Sequence, residues 1–137
     1  MFSEQFAFSP HSVVNFVGGG GKTALINRLM RESCRRGPVV STTTTRIHPP
    51  APEERCAVIS CDNVPLLARM ANAAVRGYSG RPLKLACTRY YLSPTLLGGV
   101  PPDFADLLER DRFSLLLNEA DGAAGFPVKM PKDSEPV

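Results

Sequence analysis

The sequence predicts an α/β domain of three layers, with a mainly parallel sheet between helices. Three observations carry this. A Val-rich run, Ser12 to Val17, ends in four glycines, and Lys22, Thr23 and a helical pattern follow. Further short apolar runs, at 39–42, 57–60 and 113–117, are separated by helical or turn-rich segments. The first and last runs are apolar almost throughout, as in strands buried on both faces. The last run leads into two carboxylates, Glu119 and Asp121.

At 137 residues the length fits one domain, 1–137, large enough to bury a core. Hydrophobic residues make up 43% and charged residues 21%, the balance of a soluble globular protein. No apolar run has transmembrane length, and the N-terminus lacks the basic start of a secretion signal. The expectation is therefore a cytoplasmic protein with no membrane partner. Cys34, Cys56, Cys61 and Cys87 form no CxxC pair, which favours reduced, mostly buried thiols over a zinc knuckle or disulfides. The net charge of +3 is uneven: 12 basic and 5 acidic residues lie in 1–99, and 4 basic and 8 acidic in 100–137. A basic part suits a phosphorylated ligand and an acidic end suits a metal. Nucleic acid is not an expected partner, because the arginines are scattered and no aromatic residues alternate with them. Most of these arginines read as solvated helix faces.

The glycine stretch is the first chemical signal. Gly18, Gly19, Gly20 and Gly21 let the backbone approach an anion, since no Cβ intervenes and positive φ costs little. The N–H groups of such a loop, with the helix N-terminus behind it, cradle phosphates. Lys22 would reach the β- and γ-phosphates and the Thr23 hydroxyl would hold Mg²⁺. The usual P-loop spacing needs a glycine at position 16, where this chain has Phe16. The shorter G-x-x-G-K-T fits Gly18 to Thr23, and a similarly shortened loop is used by Mur ligases and folylpolyglutamate synthetases. A flexible glycine turn with a solvated lysine is the plainer alternative; the strand before and the helix after weigh against it.

The remaining elements follow in order. Residues 1–11 read as a polar lead-in. A helix from Lys22 to about Arg36 places Leu25, Ile26, Leu29, Met30 and Cys34 on one side, and Gly37-Pro38 stops it. Val39 to Thr42 makes a second strand, opening into Thr42-Thr43-Thr44-Thr45-Arg46. These threonines suit a strand edge. They also suit a loop facing a γ-phosphate, with Thr43 and Thr44 ligating metal or orienting water and Arg46 meeting phosphate charge. Residues 48–55 form a Pro-rich loop whose His48, like His11, reads as an ordinary loop histidine. A strand at Ala57 to Ser60 precedes a helix capped by Asp62 or Asn63, with Leu66, Leu67, Met70, Ala71, Ala74 and Val75 inward. Leu83 to Tyr91 reads as a strand with a wet face or edge, because of Lys84 and Arg89. Pro94 to Pro102 reads as a loop, and 103–110 as a short helix with Phe104, Leu107 and Leu108 inward.

The second chemical signal is Phe113 to Leu117 running into Asn118-Glu119-Ala120-Asp121-Gly122, an arrangement like a Walker B strand. Such a strand lies beside the phosphate-loop strand, so its acidic end meets the metal held by Thr23. Glu119 and Asp121 are two apart and share a face if the strand continues. Asp121 is taken as the metal ligand with Thr23, and Glu119 as the group polarising a nucleophile, with the reverse left open. An ordinary strand ending in an Asp-Gly turn is the alternative. Beyond it the tail is extended and Pro-rich; Lys129 could reach back to a phosphate or an acidic substrate, with a simply solvated lysine as the plainer alternative. The chain stops at Val137 without a closing element, which points to a truncated protein.

Three stretches in this order, FVGGGGKT (Phe16 to Thr23), STTTTRI (Ser41 to Ile47) and NEADGAAGFPVKMPKDSEPV (Asn118 to Val137), resemble the YqeC-type selenium-dependent hydroxylase accessory proteins. The last is the most specific, because E-A-D-G-A followed by P-x-K-x-P and E-P-V is not general P-loop chemistry. Many relatives carry a basic residue just after E-A-D-G-A, where this chain has Ala124, so no phosphate contact is carried over there. The resemblance implies a P-loop NTPase-like fold and a role in maturing molybdenum hydroxylases. The expected function is Mg²⁺-dependent binding of ATP or another nucleoside triphosphate, with hydrolysis or phosphoryl transfer. A non-catalytic adaptor that binds nucleotide or cofactor phosphate, and a kinase- or ligase-like enzyme acting on a small acid, are the alternatives. Implied partners are a molybdenum hydroxylase or a molybdenum cofactor cytidylyltransferase.

Overall fold

A computed structural model describes residues 2–120. Five strands form one wholly parallel sheet: β1 (Ser12–Phe16), β2 (Val39–Thr43), β4 (Ala57–Ser60), β5 (Lys84–Thr88) and β8 (Leu115–Glu119), in the spatial order β1-β8-β2-β5-β4. A small antiparallel sheet of β3 (Arg46–Ile47), β7 (Leu96–Gly98) and β6 (Tyr91–Ser93) stands apart from it. The molecule is thus α/β with a mainly parallel sheet.

Each face of the large sheet is covered by one helix. On one face α1 (Lys22–Ser33) sets Ile26, Leu29 and Met30 against Val39, Leu115 and Leu117. On the other, α2 (Val64–Arg76) sets Leu67, Ala71 and Val75 against Val40, Leu85, Cys87 and Leu116, with Phe104, Leu108 and Phe113 closing the layer. Each fully buried side chain of Leu or Phe size stabilises the fold by roughly 1.5–3 kcal/mol. The chain enters α2 through Asn63, whose Oδ1 accepts the Leu66 N–H at 2.9 Å, with Pro65 in the first turn.

Because β8 lies between β1 and β2, two registers fix it at once. Glu119 is level with Phe16 on one side and with Thr43 on the other. The last residues of three strands, all near the glycine stretch, therefore end together, and the alternation of side chains divides them between the two faces.

Several expectations need correction. The buried stripe of α2 is narrower than the sequence suggests. Leu67, Ala71 and Val75 repeat every four residues and face the sheet, while Leu66 and Met70, each one position earlier, are rotated outward and are 38% and 43% exposed. The strand carrying Lys84 is no edge, since β5 lies between β2 and β4. The span 94–102, read as a loop, contributes β7 and pairs with β6. The segment after Pro101 makes 3-10 turns at Pro102–Leu107 and Arg110–Arg112 instead of an α-helix, and Leu107 points outward. The first α-helix ends at Ser33, three residues before Arg36.

Candidate phosphate and metal site

β1 ends at Phe16 and α1 starts at Lys22, so Val17 to Gly21 is a five-residue turn at the carboxyl edge of the sheet. Gly18 and Gly21 have φ of 95° and 89°, the left-handed region that side chains rarely adopt. A Cβ at either would meet open space, so the demand for glycine comes from the backbone angle and not from crowding. Gly21 caps α1 and its carbonyl accepts the Leu25 N–H at 3.0 Å, which aims the free N–H groups of the first turn toward the loop.

Lys22 folds over the turn. Its Nζ donates to the Gly18 carbonyl at 2.6 Å and to the Gly19 carbonyl at 3.1 Å. Thr23 points the other way, toward β8, and its Oγ1 donates to Glu119 Oε2 at 2.8 Å across 96 residues of sequence. Glu119 is 9% exposed, and the positive end of α1 and the Thr23 hydroxyl offset the desolvation of its charge.

The threonines after β2 brace this edge. Thr43 is fully buried; its Oγ1 donates to the Glu119 carbonyl at 2.9 Å and accepts the Thr45 N–H at 3.1 Å. The Thr44 hydroxyl donates to the Ala120 carbonyl at 3.1 Å, and the Thr44 N–H to the Glu119 carbonyl at 3.1 Å. Both hydroxyls thus hold the end of β8 beside Thr23. Arg46 stands elsewhere: it lines a separate open cleft with Arg89, Tyr90 and Gly98. Arg89 stacks over the Tyr90 ring at 5.5 Å and bonds Asp62 at 3.0 Å. Gly18 to Thr23, Thr43 and Glu119 are brought together, Thr44 borders both regions, and Arg46 is not joined to the Thr23 side. Asp121 and Lys129 lie outside the described residues.

A cavity of about 220 Å³ opens beside Thr23, between α1 and the loop after β3. Ser41, Thr43 and Thr88 line it, with His48 and Pro49 on the loop side. Thr88 is 2% exposed and its hydroxyl has no partner. His48 Nδ1 lies 2.6 Å from the Thr95 carbonyl. A carbonyl only accepts, so that nitrogen carries a proton. Neither residue was found from the sequence. Thr88 carries no local motif, and His48 reads as a loop residue until β3 and β7 bring it to the cavity.

The donor set suits a hard cation. Among the described residues no group of three or more His, Cys, Asp or Glu side chains comes together. A metal at Thr23 would rest on one hydroxyl, one carboxylate and oxygens from a ligand or water, the mixture Mg²⁺ accepts. Among the described residues no helix is long and apolar enough to cross a membrane.

The YqeC protein family matches residues 14–137, which include the glycine turn, the threonine run and the acidic strand end. A relative from Escherichia coli (strain K12), named as an uncharacterized protein YqeC, is 30% identical over 129 residues, covering 91% of this chain and 46% of its own length. The chain therefore spans about half of that relative. No solved structure matches it significantly. This chain belongs to the YqeC family.

Proposed function

We propose that this YqeC-family chain is a P-loop NTPase-like domain that binds a nucleoside triphosphate with Mg²⁺ and hydrolyses it or transfers its phosphoryl group. One observation carries the reading: the residue after the lysine that follows the four glycines is bonded through its hydroxyl to the carboxylate ending the adjacent strand, Thr23 to Glu119 at 2.8 Å. A strand, a glycine turn with positive φ and a helix N-terminus lead to that bond, and together they form an anion cradle beside a cation seat.

Thr23 and Glu119 would hold the cation, which neutralises phosphate charge when bound. Glu119 takes the metal side, the reverse of the roles expected from sequence, and Asp121 is left to polarise the attacking group. Lys22 releases the Gly18 and Gly19 carbonyls to meet phosphate oxygens, exchanging two neutral acceptors for a charged one. Thr43 keeps β8 in register while this happens. The resemblance of Asn118 to Val137 to hydroxylase accessory proteins supports a role in maturation of a molybdenum hydroxylase. The partner is the hydroxylase or a molybdenum cofactor cytidylyltransferase.

The cavity of about 220 Å³ beside Thr23, lined by Ser41, Thr43 and His48, gives room for a small acceptor and supports phosphoryl transfer over simple hydrolysis.

Thermal-shift titration with ATP, GTP and CTP, each with and without Mg²⁺, tests binding. At least one nucleotide with Mg²⁺ should raise the melting temperature; ligand at a hundred times its Kd adds about 2.7 kcal/mol. No shift with any nucleotide contradicts the reading. Binding without phosphate release or transfer leaves the adaptor alternative.

A further inference from the structure

Two pairs of polar residues line the cavity between α1 and the loop after β3. Thr23 and Thr43 stand at its Glu119 end, and both hydroxyls are spent on that residue. One helical turn along α1 from Thr23 comes Asn27, and two residues back along β2 from Thr43 comes Ser41. Those steps are about 6 Å and about 6.6 Å, so Asn27 and Ser41 lie at a similar depth. Both are half-buried. Neither side chain has a hydrogen-bond partner among the described residues, and neither is sealed off as the Thr88 hydroxyl is. Ser41 belongs to an inner strand, so its hydroxyl is reached through the cavity and not from an outer surface.

The remaining wall is largely apolar, with Ile26 on the α1 side and Ile47, Pro49 and Pro50 on the loop side. No Lys, Arg, Asp or Glu among the described residues lines it. His48 is exposed, and its Nδ1 is held by the Thr95 carbonyl. A carboxylate placed there would lose water and meet no fixed counter-charge. An apolar cavity of about 150 Å³ holds benzene. A cavity of about 220 Å³ therefore has room for a six-membered ring with a substituent at each end. The separation of the two polar pairs matches substituents across such a ring.

We propose that this cavity is the acceptor site, and that the acceptor is a small uncharged alcohol and not an acid. Its hydroxyl lies at the Thr23 end and its apolar body against Ile26 and Ile47. A neutral polar group at its far end bonds Asn27 and Ser41. The acceptor role rests on the phosphoryl-transfer reading. In that transfer the acceptor oxygen bonds to the γ-phosphorus as the bond from that phosphorus to the β–γ bridging oxygen breaks. The nucleoside diphosphate leaves with that electron pair. The hydroxyl proton passes to Asp121 and on to water, and the product is a phosphate monoester.

The cavity is tested by ¹H–¹⁵N NMR of the chain without nucleotide, titrated with 4-(hydroxymethyl)benzamide. This probe should saturably shift the Asn27 side-chain amide and the Ser41 backbone amide, with Kd in roughly the millimolar range. 4-(Hydroxymethyl)benzoate has the same shape but a charge, and benzyl alcohol lacks the far polar group. Each should bind about tenfold more weakly. Asn27→Leu should weaken the benzamide about tenfold and leave benzyl alcohol unchanged. If that variant does not fold, the three probes on the parent chain decide alone. No shift at Asn27 and Ser41, equal binding of the benzoate or benzyl alcohol, or an Asn27→Leu variant that binds the benzamide as the parent does overturns the proposal. Transfer is read separately by ³¹P NMR, with Mg²⁺ and a nucleotide that raises the melting temperature. The phosphate ester of the benzamide should form and that of the benzoate should not. Benzamide binding without its ester overturns the acceptor role. If no nucleotide binds, the phosphate reading itself fails, and the titration without nucleotide still decides what the cavity holds.

Discussion

At the carboxyl ends of β2 and β8, consecutive residues face opposite ways and meet opposite conditions. On the α1 face Thr43 and Glu119 are fully engaged, with each other's strand and with Thr23. On the α2 face Thr42 and Asn118 each keep a buried atom with no partner. The glycine turn is also closed on itself, its lysine bonded to its own carbonyls. The glycine turn must therefore break internal bonds to take a ligand, and only a strongly charged ligand repays that. The α2 face instead keeps two polar atoms buried without a partner, which costs stability and leaves nothing at the surface to bond.

If both faces are as well sealed as this comparison requires, the thiols beneath them should be inert. Burial raises Cys87, on the α2 face, to about 12, and raises Cys56, beside the α1 cluster, to about 11, the latter partly offset by Lys84. At pH 8 Cys87 should react with a thiol reagent about a thousandfold more slowly in the native chain than in denaturant. Native labelling at the denatured rate would mean the α2 face is open. The sign for stability follows. Both thiols hold their protons more tightly when folded, so their stabilisation is complete below about pH 8.5 and is lost as pH rises toward 11 and 12. Chemical denaturation at a series of alkaline pH values reads it.

The next effect concerns the α1 face alone. Lys22→Ala should weaken nucleotide about ten- to hundredfold, by removing one charge-assisted contact, and leave the fold intact. Unchanged affinity in a folded variant would reduce the glycine turn to an ordinary connection.

Two isosteric substitutions then set the faces directly against each other. Thr43→Val should cost about 1–2 kcal/mol, because it strips the Thr45 N–H and the Glu119 carbonyl of a buried partner. Thr42→Val, one residue away, should be neutral or stabilising by up to about 1 kcal/mol, because it removes a hydroxyl that has no partner. Equal losses in urea denaturation would erase the distinction.

How much of this could be read from the chain depends on distance in sequence. The glycine turn was legible because its chemistry is local: a Val-rich strand, glycines where φ must be positive, and a helix start. The acidic strand end was legible for the same reason, but its pairing with Thr23 required two such signals to be joined. Lys84 and Arg89 misled because charge in a strand suggests an edge. Both sit at the ends of β5, where Lys84 reaches the Glu54 carboxylate at 3.6 Å and Arg89 follows the last residue, and the strand between is buried. Gly98 and Gly99 looked like loop breakers. They serve close packing, since a Cβ at Gly98 would stand 2.7 Å from the Tyr90 ring and one at Gly99 2.4 Å from the Thr44 backbone. The Asn15–Asn118 pair spans 103 residues and has no local signature at all.

The Mg²⁺ dependence of nucleotide affinity, in the parent chain and in Glu119→Gln, tests the proposed phosphate and metal site most directly. Gln keeps an oxygen for the Thr23 hydroxyl, so the fold should survive while the charge is lost. The parent should bind roughly tenfold or more tightly with Mg²⁺, and most of that gain should vanish in the variant. A parent indifferent to Mg²⁺, or a variant with the same Mg²⁺ gain as the parent, would mean that Thr23 and Glu119 only pin α1 to β8.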